Sequence, residues 1–78
     1  MISKKERDFL LFLQEFPKRE QYTPSIREIA DGEGLAYATA YRLAQSLRAR
    51  GYVTANKING KNPLRYAVGR PPPEIEKT

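Results

Sequence analysis

The hydrophobic period of this chain changes once, at Gly51, and that change limits the folds available to it. Before Gly51, apolar residues recur at the three- and four-residue spacings of amphipathic helices. After it, residues 52–58 and 64–68 have the composition and alternation of β-strands. Asn59-Gly60 between them is typical of a tight hairpin turn. The sequence therefore predicts an α+β fold, mainly α, in which helices precede an antiparallel hairpin.

The first predicted helix runs from Lys4 to about Phe16. Ser3 and Glu6 have the spacing of a capping box, in which each side chain bonds the backbone N–H of the other residue. Pro17 is expected to end this helix, because proline cannot continue the hydrogen-bond ladder. The apolar side chains of the helix fall on one broad face, which predicts that this face is core.

Two further helices follow. A second capping box, Ser25 with Glu28, begins a short helix that is expected to end at the glycines around Gly34. The third helix is predicted at 37–50, with small and branched apolar residues on its inner face. Residues 21–23 are a candidate short strand, so the sheet is predicted to have two or three strands.

The charge of the chain is concentrated in its second half. The segment 35–70 contains seven Lys or Arg residues and no Asp or Glu, within an overall net charge of +5. Such a surface suits a polyanion, with nucleic acid favoured over an anionic membrane. The chain has no His and no Cys, which removes the commonest general base and metal ligands. We expect a non-enzymatic, cytoplasmic, nucleoid-associated protein with no cofactor and no membrane partner.

A short helix, a glycine-containing turn, a longer helix and a hairpin follow one another in the order of a winged helix-turn-helix. On this scaffold the third helix reads the major groove and the hairpin, or wing, contacts the backbone or minor groove. Arg42 and Gln45 have the donor geometry for guanine and adenine edges, and the wing cations suit phosphates. The candidate DNA-binding residues are Tyr37, Ala38, Thr39, Tyr41, Arg42, Gln45, Lys57, Asn59, Lys61 and Arg65.

Two segments carry a resemblance to known families. Residues 23–30, Thr-Pro-Ser-Ile-Arg-Glu-Ile-Ala, resemble the start of the second helix in LexA-type repressors, and residues 38–53 are similar to the recognition helix and first wing strand of MarR- and IclR-type regulators. The resemblance extends over roughly 5–68. It implies sequence-specific binding to double-stranded DNA, usually by a dimer on a palindrome, and usually repression. Two residues depart from the LexA pattern, Glu33 at a core leucine position and Ala36 at a helix cap.

Other interpretations remain open. The uncharged, aromatic start of the third helix also suits a winged-helix adaptor that binds protein in a replication, mobile-element or transcription complex. Leu11 is a candidate dimer contact, and Arg48 and Arg50 fit a helix C-terminus as well as they fit DNA. The domain is predicted to span 1–68, followed by a flexible proline-rich tail at 69–78. A homodimer and a protein bound through the recognition helix or this tail are the further partners considered.

Overall fold

The computed structural model describes residues 2–70 and contains three helices followed by one hairpin. The helices are α1 (Lys4–Glu20), α2 (Ile26–Glu33) and α3 (Tyr37–Ala49), and the strands are β1 (Val53–Ile58) and β2 (Lys61–Val68). This confirms the α+β, mainly helical winged-helix architecture. The residues described form a sheet of two strands, and the strand expected at 21–23 does not form.

The first helix is longer than predicted. It begins at the expected capping box, where Ser3 and Glu6 each bond the backbone N–H of the other residue. It continues through Pro17 to Glu20, so the expected end at Pro17 is wrong. Proline already has a helical φ and removes only one N–H donor. The last turn then closes when the Gln21 N–H donates to the Pro17 carbonyl oxygen at 2.8 Å.

The second helix begins and ends close to where the glycines and the capping box predict. Ser25 and Glu28 form the complete capping box, and Gly34 closes the helix at φ +66°. Gly32 lies inside the helix, where an added Cβ would stand 2.4 Å from the Phe12 ring. This glycine is therefore a point of close approach between α2 and α1.

The core lies where the inner faces of the three helices meet the base of the hairpin. Its completely or nearly completely buried members include Phe9, Leu10, Leu13, Ile29, Ala40, Ala44, Leu47, Val53 and Tyr66. Leu11 is half-buried and packs against this cluster. Leu11 therefore lies at the edge of the core, and the dimer contact considered for it stays a prediction.

The hairpin is tighter than the sequence suggests. Asn59 and Gly60 both have positive φ, 54° and 71°, as the two central residues of a type I′ turn require. The return strand consequently begins directly at Lys61. The ladder runs from Val53 opposite Val68 to Lys57 opposite Leu64, with an irregularity before the Ile58–Lys61 pair.

Backbone hydrogen bonds near its base join the hairpin to the segments beside the helices. The Tyr66 N–H donates to the Pro24 carbonyl at 2.9 Å, a single bond at the place where a third strand was considered. Gly69 and Arg70, the first two residues of the predicted tail, donate to the carbonyls of Tyr52 and Gly51. The rest of that tail, 71–78, lies outside the described residues. Within 2–70, no helix is long and apolar enough to cross a membrane.

Candidate nucleic-acid interface

The third helix presents one apolar face to the core and one polar, acid-free face to solvent. Ala40, Ala44 and Leu47 are completely buried, and their spacing fixes which side of the helix turns outward. On the outer side, Tyr37 is 57% exposed and Tyr41 is 45% exposed. The outward face therefore combines two tyrosine rings with the positive charge of Arg42, a combination that suits nucleic acid.

The structure places most of the candidate residues on the surface. Seven of them are exposed, namely Tyr37, Ala38, Tyr41, Arg42, Lys57, Asn59 and Lys61. Thr39, Gln45 and Arg65 are half-buried. Thr39 and Gln45 lie on the flanks of α3, so their accessible atoms are at the margin of its outer face.

The start of α3 is open to an anion. Ala36 precedes the helix and makes no side-chain capping bond, and the first turn contains no acidic residue. The N–H groups of a helix's first turn have no partner within the helix and form its positive dipole end. The missing cap noted in the sequence is thus real, and it leaves these donors without a side-chain acceptor.

The wing lies beside the first half of α3 and shares a concave surface with it. A pocket of about 670 Å³ is lined by Tyr37 and Tyr41 from the helix and by Pro63, Leu64 and Tyr66 from β2. The pocket therefore joins the two candidate DNA-binding segments, which are distant in sequence. They form one surface.

Lys57 lies on the hairpin face that continues this surface. It is opposite Leu64, as Ala55 is opposite Tyr66, and alternate residues of a strand share a face. Lys61 and Asn59 are at the exposed turn. The wing therefore has one cation, Lys57, on the face that continues the pocket and another, Lys61, at its tip.

Arg65 has a different environment from the one the sequence suggested. Its guanidinium Nη1 donates to Glu28 Oε1 at 2.9 Å and to the Thr23 carbonyl at 3.2 Å. Its charge also lies 5.2 Å from the centre of the Tyr22 ring. Since side chains alternate along a strand, Arg65 leaves the hairpin on the face opposite Tyr66. It joins the wing to the start of α2, an environment different from that of a free phosphate-binding side chain.

Glu28 is the centre of this junction. Partial burial acts to raise its pKa, but hydrogen bonds from the Ser25 backbone, the Tyr22 hydroxyl and the Ser25 side chain, together with the Arg65 charge, outweigh burial and lower the pKa. The Tyr22 hydroxyl donates to Glu28 Oε2 at 2.9 Å. The carboxylate is therefore held ionised between the helix cap and the wing.

Two other cations of the acid-free segment also contact groups of the protein. Arg50 forms an ion pair with Glu6 at the start of α1, and its guanidinium lies 5.6 Å from the Tyr52 ring centre. The Arg70 guanidinium also lies near this ring, 5.9 Å from its centre. Within residues 2–70, the cations of the segment left without an ion pair or an aromatic partner are Arg42, Arg48, Lys57 and Lys61.

Arg27 and Tyr66 are among the pocket-lining residues that were not sequence candidates. Arg27 is exposed on α2 and borders the pocket, and Tyr66 forms part of its floor. The sequence assigns Arg27 no particular role and predicts that Tyr66 packs in or beside the core. Tyr66 does so, with 2% exposure, but no sequence signal indicated that it also reaches a pocket.

Comparisons with known proteins agree with this geometry. The profile of the IclR helix-turn-helix domain family matches residues 18–57, which include α2, α3 and most of β1. Among solved structures, the chain is similar to the apo-Zalpha domain of zebrafish PKZ, with a TM-score of 0.61, 16% identity, and coverage of 86% of this chain and 100% of that one. No curated protein matches the chain. The chain belongs to the IclR helix-turn-helix family, and it is a winged helix-turn-helix DNA-binding domain of a transcription regulator.

Proposed function

We propose that this domain binds double-stranded DNA sequence-specifically and acts as a transcriptional repressor. Helix α3 enters the major groove, and the wing follows the backbone or enters the minor groove. The observation that supports this most directly is the single acid-free surface formed by the outer face of α3 and the adjoining hairpin. A surface of this kind admits DNA without electrostatic repulsion.

The residues have distinct roles in this proposal. Arg42 is exposed at mid-helix without an ion pair within the described chain, so its guanidinium is free to bond a guanine edge. Ala38 and Thr39 allow the helix start to approach the bases, and Gln45 contributes from the margin. Tyr37, Tyr41 and Asn59 contact sugar or phosphate, while Lys57 and Lys61 neutralise phosphates. Arg65 supports the wing instead of contacting DNA.

The oligomeric form proposed is a homodimer on a two-fold symmetric site. Regulators of this architecture place a recognition helix in each half-site, so protein symmetry is mirrored in the DNA. Selection of bound duplexes from a random pool tests this directly. A palindromic selected site supports the dimer, whereas a short asymmetric site points to a monomer or a different partner chain.

The experiment that tests the DNA-reading role compares Arg42→Ala with the wild type on the selected duplex and on a scrambled duplex. Loss of one bidentate base contact costs about 1–3 kcal/mol, so discrimination between the two duplexes should fall roughly tenfold. Lys61→Ala is the matched control, because a phosphate contact weakens both duplexes alike. Unchanged discrimination in Arg42→Ala would refute the proposed role.

A second candidate function is a winged-helix adaptor that binds protein through α3. The exposed rings of Tyr37 and Tyr41 favour it, because tyrosine is enriched in protein interfaces. The same variant separates the two functions. An adaptor retains its partner in Arg42→Ala and shows no duplex selectivity to lose.

A further inference from the structure

The pocket between the recognition helix and the wing has a composition that duplex reading does not require. It holds about 670 Å³, within the range of about 300–1,000 Å³ typical of ligand pockets. Its lining includes the Tyr37 and Tyr41 side chains, the Pro63 ring and Arg27, and it includes no acidic residue. It is therefore an apolar recess with a basic border, on the surface assigned above to DNA.

The floor of the pocket carries a polar group without a protein partner. Tyr66 lines the pocket and is almost completely buried, with 2% of its surface exposed. Among the described residues its hydroxyl makes no hydrogen bond. Because Tyr66 lines the pocket, its hydroxyl is the group there to which a ligand's acceptor would bond.

The protonation state of that hydroxyl suits a donor. Burial raises the pKa of Tyr66, Arg48 acts in the opposite direction, and Tyr41 and Tyr37 raise it further. The group therefore stays protonated at neutral pH. A buried hydroxyl gains more from a ligand's acceptor than an exposed one, because water does not compete as freely for it.

The aromatic rings at the pocket rim are also unused. Ring pairs in the described chain involve Phe12, Phe16 and Tyr22, and its cation–ring contacts involve Phe16, Tyr22 and Tyr52. Tyr37 and Tyr41 take part in none of them. Their faces are available to a planar ligand, and stacking of a base on an aromatic side chain contributes about 1–3 kcal/mol in single-strand binding proteins.

We infer that this pocket binds an unpaired nucleobase of a DNA strand. The base stacks on Tyr41 with Tyr37 beside it, and the Tyr66 hydroxyl bonds the edge of the base. Arg27 meets the adjoining phosphate. The inference rests on the proposed DNA-binding function and adds a second substrate form, a strand with an unstacked base. A proline-rich peptide is the other occupant that an aromatic-lined groove admits. The pocket has Arg27 at its border and no acidic residue in its lining, which favours a strand that carries phosphates.

The test measures fluorescence polarisation with three labelled probes. They are a short DNA single strand, a duplex that contains the same sequence, and a proline-rich peptide. The proteins are wild type, Tyr41→Ala, Tyr41→Phe and Tyr66→Phe. Tyr22→Ala is the control, since Tyr22 is as exposed as Tyr41, at 46% against 45%, and does not line the pocket. Thermal unfolding of each variant establishes that it is folded at the assay temperature.

Tyr41→Ala should weaken single-strand binding about tenfold or more, as the loss of one stacked base does. Tyr66→Phe should weaken it about three- to tenfold through one hydrogen bond. Tyr41→Phe keeps the stacking ring and should lose much less affinity than Tyr41→Ala, and Tyr22→Ala should bind like the wild type. The inference would be overturned if Tyr41→Ala and Tyr66→Phe left single-strand affinity unchanged. It would also be overturned if Tyr41→Ala weakened binding of the peptide but not of the single strand. If duplex binding persists in such a case, the proposed function stands and only the base pocket is rejected. If single-strand binding shows the expected pattern without duplex selectivity, the proposed function fails and the pocket remains.

Discussion

The replacement Arg65→Met separates a structural cation from a DNA-binding one. Methionine keeps the apolar stem of the side chain and removes its charge, the bonds to Glu28 and Thr23, and the contact with the Tyr22 ring. The Arg65 and Glu28 side chains are 26% and 32% exposed, so the ion pair is only partly shielded from water. A charge-assisted hydrogen bond contributes about 1.5–3 kcal/mol when well shielded, and an exposed ion pair about 0–1 kcal/mol. We therefore expect a loss of about 1–2 kcal/mol in the free energy of unfolding.

For a domain of this size that loss lowers Tm by about 5–15 °C, which circular dichroism measures directly. Urea titration at neutral pH gives the free energy itself. DNA binding should keep the salt dependence of the wild type, because Arg65 does not contact phosphate. Lys57→Met is the matched control, with unchanged stability and a salt slope smaller by about 1. A loss of stability below about 0.3 kcal/mol in Arg65→Met, combined with a smaller salt slope, would refute the reasoning and return Arg65 to the DNA interface.

Three further predictions concern carboxyl groups and one glycine of the fold. Hydrogen bonds and neighbouring arginines outweigh partial burial and lower the pKa of both Glu6 and Glu28. The two carboxylates therefore stabilise the folded protein fully above their unfolded pKa, and this stabilisation is lost as pH falls through their folded pKa values. Urea titrations between about pH 7 and pH 3 should show a falling free energy of unfolding, and a flat profile would contradict this. Burial and the charge of Asp8 raise the pKa of Glu33. Glu33→Gln should therefore stabilise the protein at neutral pH by less than about 1 kcal/mol and lose this advantage in acid. A variant less stable than the wild type at neutral pH would contradict this expectation. Gly60 has φ +71° with open space around it, so Gly60→Ala should cost about 1–2 kcal/mol through the backbone alone, and a D-alanine at the same position, made by chemical synthesis, should restore the stability.

The elements of the fold were predictable because each has a local signal. The capping boxes at Ser3 and Ser25, the glycine after α2 and the Asn59-Gly60 turn act within a few residues of chain, and the structure has all four. The end of α1 was not predictable in this way. A helix already stabilised by its packed face tolerates one lost donor, so Pro17 did not end it.

The candidate site was predictable in outline and not in its contacts. The outer face of α3 follows from the helical period, and the exposure of Tyr41 and Arg42 agrees with it. Arg65 could not be assigned, because its partner Glu28 is far away in sequence and adjacent only in the fold. The same limit applies to Tyr66, which lines a pocket formed by residues of α2, α3 and β2 that come together only in the fold. Charge counts identified the surface, and tertiary contacts decided which cations are free on it.

The most direct test of the account is the salt dependence of duplex binding by the wild-type protein. Affinity measured by polarisation between about 50 and 200 mM salt should fall with a log–log slope of about −0.9 per neutralised phosphate. With Arg42, Arg48, Lys57 and Lys61 free on the described surface, we predict a slope of about −2 to −4 per protomer. Negligible affinity for duplex DNA at about 50 mM salt, or an affinity that does not fall as salt rises, would contradict the central claim that this surface binds DNA.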